Sequence, residues 1–199
     1  MRTPALERLV RTAETRRTEA MDHCGLCGVP VPDDHRHLLD VAPETGDRSV
    51  MCACRACSLL FQQKAASNGH YQLIPQRRMR LAPFPTQGLG VPVGLAFFVP
   101  RGGRVIAHYP SPAGATEWEV DDTAWQAAIA ACPPLGGLEP EVEACLVDTA
   151  KGHGQHWIVP VDDCFRLVAI VRQEWRGLSG GSTVWPAITD FFAGLREQD

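Results

Sequence analysis

Two Cys-x2-Cys pairs, Cys24-Gly25-Leu26-Cys27 and Cys54-Arg55-Ala56-Cys57, stand 26 residues apart near the start of this 199-residue chain. A turn of this kind lets two sulfurs face one ion, and two such turns complete a tetrahedron with metal–sulfur bonds of about 2.3 Å. Gly28 follows the first pair, at a position that needs a positive φ which other residues adopt at a cost. Cys24, Cys27, Cys54 and Cys57 are therefore expected to hold one ion. Zinc is the expected metal and its role structural, because four thiolates leave no open position for a substrate.

Eight cysteines in a short secreted chain would suggest disulfides, but five of these fall within the 34 residues 24–57 at metal-ligand spacing. The other three, Cys132, Cys145 and Cys164, are scattered through apolar surroundings, where a thiol acts as a small buried hydrophobe. A reducing compartment follows as an expectation. The first twenty residues carry Glu7, Glu14 and Glu19 and no apolar run, so no signal peptide is read there. The longest apolar stretch, residues 88–100, is shorter than the roughly 20 residues needed to span a bilayer. The expected location is the cytoplasm.

Residues 35–52 read as a β-hairpin about residues 44–47, and residues 58–66 as a helix starting directly after Cys57. Knuckle, hairpin and a ligand pair at a helix start resemble a treble-clef or zinc-ribbon module. Helix N-terminal N–H groups would also help hold the Cys54 and Cys57 thiolates. Rubredoxin is the competing likeness, with iron as the alternative metal. Against it, Ser58 follows the second pair where rubredoxin has glycine, and residues 22–60 contain no Phe, Tyr or Trp to build its aromatic core. Cys52 alternates with Cys54 and would face the same side if both lay on one strand. His35 and His37 share the ambiguity. These three alternates are either a core thiol with strand or surface histidines, or ligands that replace a cysteine or bind a second ion.

Charge divides the chain: residues 1–80 hold 12 Lys/Arg against 9 Asp/Glu, while residues 81–199 hold 7 against 14. The Pro/Gly-rich stretch after Arg77, Arg78 and Arg80 places a boundary near residue 80. The expected organisation is an N-terminal helical or flexible extension (1–21), a cysteine-rich metal module (22–80) and an α+β domain (81–199). In the extension, residues 3–13 have helical spacing. In the second half, apolar runs at 91–100 and 105–109 flank Gly102-Gly103 as a hairpin, with a further strand at 115–120. A helix over 124–131 is capped by Asp122-Thr123, strands follow at 142–147 and 156–161, and residues 164–175 form a buried helix or a long strand. A last helix runs from a Ser182-Thr183 cap to about Arg196. The fold class is α+β, with antiparallel strands and a C-terminal helix.

Catalytic signals are weak. His108, His153 and His156 with Asp162 and Asp163 offer metal or acid–base chemistry, but a turn followed by a strand explains them equally well. Residues 109–117 read as a structured loop without a nucleophile elbow. The glycine-rich run 175–182 precedes a helix yet lacks a P-loop ending. Arg172, Arg176, Gly180 and Gly181 keep an anion-binding or partner-docking role open. No catalytic residue is assigned. The pI near 6.0 argues against a nucleic-acid partner, although the basic first half motivates that reading as a lesser alternative.

Taken together, the strings CGLCGVPVPDDHRHLLD, CACRACSLLF, YPSPAGATE, HWIVPVDDCFRLVAIVRQEWRGLSGG and VWPAITDFFAGLR resemble an uncharacterised actinobacterial family of unknown function. Members of that family typically lie beside genes for high-affinity nickel–iron hydrogenases. The likeness covers about residues 22–196. It implies a non-enzymatic accessory or maturation factor with a hydrogenase subunit, or another maturation protein, as partner. An iron electron carrier serving the hydrogenase is the alternative that the resemblance leaves.

Overall fold

The computed structural model describes residues 22–42, 48–63, 69–90, 94–152, 154–177 and 180–198. The expected helix at 3–13, the hairpin turn at 44–47 and His153 lie outside them. The chain divides into two units at the junction of Leu73 and Ile74.

The first unit carries a three-stranded antiparallel sheet in the order β2-β1-β3, from β1 (Arg36–Asp40), β2 (Val50–Ala53) and β3 (Tyr71–Leu73). β1 and β2 are the arms of the hairpin read from the sequence, in a register that sets His37 opposite Cys52. The following helix, α1, spans Arg55–Leu59 and so starts three residues earlier than expected. The cause is Cys54, whose sulfur accepts the N–H of Cys57 and caps the helix. Beyond Leu59 the chain continues in tighter turns, with Phe61 N–H donating to the Ser58 carbonyl and Gln62 N–H to that of Leu59.

The second unit is built on a six-stranded antiparallel sheet in the order β4-β9-β8-β5-β6-β7. Its strands are β4 (Met79–Arg80), β5 (Leu95–Arg101), β6 (Arg104–Ser111), β7 (Gly114–Glu119), β8 (Glu143–Asp148) and β9 (Gln155–Pro160). Its helices are α2 (Asp122–Ala131), α3 (Val161–Glu174) and α4 (Val184–Gly194). Gly102 and Gly103 both take positive φ, 55° and 79°, and make the two-residue turn between β5 and β6. Residues 109–117, expected as a loop, are instead the next hairpin, because β6 extends to Ser111 and β7 begins at Gly114. Of the ambiguous run at 164–175, residues 164–174 lie in helix α3 and Trp175 is its extended C-cap.

Both faces of this sheet are covered, which explains why the central strands read as unbroken apolar runs: β8 is buried along its whole length. On one face Ala96, Phe98, Ala107, Cys145, Val147 and Ile158 pack with Trp125 and Ala128 of α2 and with Leu135 and Leu138 beyond it. Helix α3 contacts β6 to β9 and stands outside that cluster, so it covers the other face. Its partner α4 buries Val184, Ile188, Phe191 and Phe192, residues at helical spacing. Thr183 does not cap α4 through its side chain. Its hydroxyl donates to the Glu174 carbonyl at 3.0 Å, and the helix ends at Gly194, two residues short of Arg196.

The arginines of residues 77–80 belong to the second unit. Met79 and Arg80 pair with β9, and the Arg78 backbone exchanges hydrogen bonds with Gln198. The Arg77 guanidinium reaches both carboxylate oxygens of buried Glu143, and Arg78 Nε lies 2.5 Å from Oδ2 of buried Asp163. Among the described residues no helix is long and apolar enough to cross a membrane.

Candidate metal centre

The knuckle forms because Cys24 accepts through its carbonyl the N–H of Gly28, at 2.8 Å, while its own N–H donates to Val29. Gly28 sits at φ 73°, the conformation that its place in the motif requires. Gly25 N–H donates to the Cys52 carbonyl at 2.8 Å and ties the knuckle to β2. The second turn supplies Cys54 as the cap of α1 and Cys57 within it.

These elements bring the sulfurs of Cys24, Cys27, Cys54 and Cys57 within 4.8 Å of one another, with Cys27 and Cys54 Sγ 3.8 Å apart. A tetrahedron built on 2.3 Å bonds has sulfur–sulfur edges of about 3.8 Å, and a disulfide would need about 2.05 Å. The spacing is that of four ligands around one ion. Cys24 is buried, Cys27 exposed, and the other two half-buried.

Cys24 and Cys57 do not ionise alike. Burial opposes the Cys24 thiolate, but the backbone groups of Cys54, Cys27 and Leu26, with the Cys27 thiol, outweigh it and bring the group down to about 6. Cys57 is pushed up to about 12 by its contacts with Cys27 and Cys54, then by burial and by Cys24. One thiolate thus forms readily and resists the next, the situation a divalent cation relieves by displacing the remaining protons.

Cys52 is not part of this set. Cys54 leaves the strand to cap α1, so the two thiols of Cys52-Ala53-Cys54 do not share a strand face as alternation alone would suggest. Cys52 groups instead with His35 and His37, the ligand atoms of all three lying within 4.8 Å of one another. Burial raises the Cys52 thiol above its usual range, with Asp22 and Cys24 adding to the effect.

Arg176 is spent locally: its Nη1 donates to the carbonyls of Gln173 and Trp175 at 2.5 and 2.9 Å, closing the end of α3. Arg172 is exposed in the last turn of α3, and Gly180 and Gly181 adopt positive φ before α4. Among the described residues His108 and His156 do not converge. Through the register His108–Phe97–Leu146–Trp157, His108 shares a face with Trp157, whereas His156 points to the opposite face three strands away, about 14 Å in strand spacings. His108 stacks on Phe97 and meets Glu117 at 3.3 Å. A cleft of about 720 Å³ on the second unit includes Arg101, Arg104, Glu119, Asp122 and Trp125 in its lining and no histidine, cysteine, serine or lysine.

His156 has a measurable consequence of its own. Its ring is buried against that of Phe84, with centroids 4.8 Å apart. Burial lowers its pKa below the ordinary 6.5, against the opposing pull of the Gly154 and Phe84 backbone, so the folded protein holds it neutral. As pH falls through about 6.5 the unfolded chain takes up a proton that the folded chain refuses, and stability drops by at most about 1.4 kcal/mol per pH unit. Urea midpoints at about pH 7 and pH 5 should therefore diverge more in the wild type than in His156→Leu; equal losses would remove His156 as the cause.

Sequence reading missed one feature of the first unit. The exposed large apolar side chains among the described residues, Leu26, Val29, Val50, Leu59 and Leu60, all lie there. Four of them sit inside the cysteine pairs or within three residues of them, which is the signal that was available. A family model, that of a family of unknown function, matches residues 23–199. No curated protein and no solved structure matches the chain.

Proposed function

The chain belongs to DUF5947, a family of unknown function matched across residues 23–199, and from that premise we propose that its first unit is a metal-stabilised module that docks another protein. The observation that carries this reading is the placement of exposed apolar side chains on the elements that supply the thiols. Leu26 lies between two ligands, Val29 follows the knuckle, and Leu59 and Leu60, 56% and 68% exposed, end the helix that Cys54 caps. Water-facing apolar groups on a small metal-held scaffold fit a protein contact better than a solvated surface.

The metal in this reading is zinc. Four protein thiols close its coordination, and residues 22–60 lack the aromatic side chains of a rubredoxin core. The partner is a nickel–iron hydrogenase subunit or one of its maturation proteins, in the cytoplasm. Support for that partner is the resemblance of the quoted strings to the hydrogenase-associated family, and the module acts without catalysing.

Co-purification with tagged full-length protein tests the partner. A hydrogenase component should be enriched, and Leu59→Asp/Leu60→Asp should cut its capture at least tenfold while leaving bound metal unchanged. No enrichment, together with unchanged hydrogenase maturation in a deletion strain, would overturn the reading. Elemental analysis with a visible spectrum tests the metal: a colourless zinc tetrathiolate supports it, whereas iron with thiolate charge-transfer bands replaces docking with electron transfer.

A further inference from the structure

Outside the tetrathiolate, one cluster has the chemistry of a ligand set. His37 and Cys52 are directly opposed across β1 and β2, so their side chains share a face, and His35 stands two residues before His37 on the same side. The two imidazoles meet edge to face with ring centres 4.6 Å apart. His35 Nδ1 lies 2.7 Å from the Pro32 carbonyl oxygen. A carbonyl only accepts, so Nδ1 carries a proton, and in the neutral imidazole that a metal binds the lone pair is on Nε2. That Nε2 is buried and has no hydrogen-bond partner among the described residues. A metal-binding imidazole is oriented in this way, by a carbonyl on its far nitrogen.

We propose that His35, His37 and Cys52 form a second metal site, distinct from the tetrathiolate, that holds a zinc-like divalent cation through two imidazole nitrogens and one thiolate. Mixed nitrogen and sulfur donors suit zinc and its cobalt substitute. Three protein ligands leave the fourth position to an exchangeable water or anion. One thiolate against a dication leaves net positive charge, so that position favours a small anionic donor. All three residues are half-buried, close enough to solvent for exchange. The segment Cys52-Ala53-Cys54, where β2 passes into the cap of α1, thereby serves two ions, a closed one that holds the fold and an open one that can take a ligand.

Cobalt(II) titration of the reduced full-length protein, with elemental analysis, tests the assignment. The wild type should bind two equivalents, and azide should shift the visible spectrum of the second only. Cys52→Ala and His37→Gln should each bind one, a loss of half the metal, with the tetrathiolate charge-transfer band intact. His35→Gln, which leaves both strands of the hairpin unaltered, repeats the test should Cys52→Ala disturb the hairpin, with circular dichroism as the check. Saturation of the wild type at one equivalent, two equivalents retained in all three variants, or loss of both metals together in every variant would overturn the proposal. A second equivalent that ignores azide would overturn the open position.

Discussion

Stripping the tetrathiolate of its metal is expected to unfold the first unit and leave the second folded. Among the described residues the first unit buries few apolar side chains, chiefly Val31, Leu38, Leu39 and Ala53, with Cys24 itself beside them. So small a core rarely stabilises a domain without a disulfide or a metal, and its cysteines are all free thiols. Structural zinc contributes about 10–16 kcal/mol at neutral pH, and that binding energy is folding energy. Chelator and Cys54→Ser should therefore act alike. The five tryptophans, at 118, 125, 157, 175 and 185, all lie in the second unit, so their fluorescence is a clean reporter of it. Chelation should open residues 22–73 to protease while tryptophan emission stays constant. Acid works in the same direction, because each thiolate must take a proton to release the ion. Cys132→Ser, at a buried thiol of the second unit, should keep its metal; equal metal loss in Cys132→Ser and Cys54→Ser would refute the ligand assignment.

The second large effect is expected at Arg77. Its Nε and Nη2 donate to the two Glu143 oxygens at 2.8 and 2.7 Å, and Glu139 N–H donates to the same carboxylate at 2.8 Å. The Glu143 side chain is only 4% exposed. Removing the guanidinium strands a buried charge, which typically costs about 3–5 kcal/mol, and the partial exposure of Arg77 places the expectation at the lower end, about 3 kcal/mol. Urea unfolding of Arg77→Met, followed by tryptophan emission, should show that loss in the second unit. Arg77→Met/Glu143→Met should recover much of it, since no buried charge is then left unpaired and only the Glu139 N–H loses its acceptor. Arg77→Lys should fall between, a point charge being a poor substitute for a planar fork. A loss below about 1 kcal/mol in Arg77→Met would mean that water, not arginine, satisfies the carboxylate.

The arginine pairs also bear on function. Arg77 and Arg78, two of the twelve basic residues behind the nucleic-acid reading of residues 1–80, direct their guanidiniums to Glu143 and Asp163 of their own unit. Carboxylates 66 and 85 residues away in sequence compete for the same donors that phosphates would need. A charge tally along the chain cannot register that competition.

What the amino-acid order determined by itself was local. The Cys-x2-Cys spacing with Gly28 dictates a knuckle, and Gly102-Gly103 dictates a hairpin turn. The spacing of Val184, Ile188, Phe191 and Phe192 dictates a helix with one buried face. Each depends on contacts a few residues long, where φ preferences and side-chain periodicity suffice. Tertiary structure decided the rest. Residues 164–175 were equally apolar as helix or strand until α3 met the face of the sheet opposite α2. The order β4-β9-β8-β5-β6-β7 sets His108 and His156 three strands apart, and the register puts them on opposite faces, which disperses a pair that looked convergent on paper. Cys52 found His35 and His37 because strand register and the departure of Cys54 into a helix cap, both non-local outcomes, decide which thiols share a face.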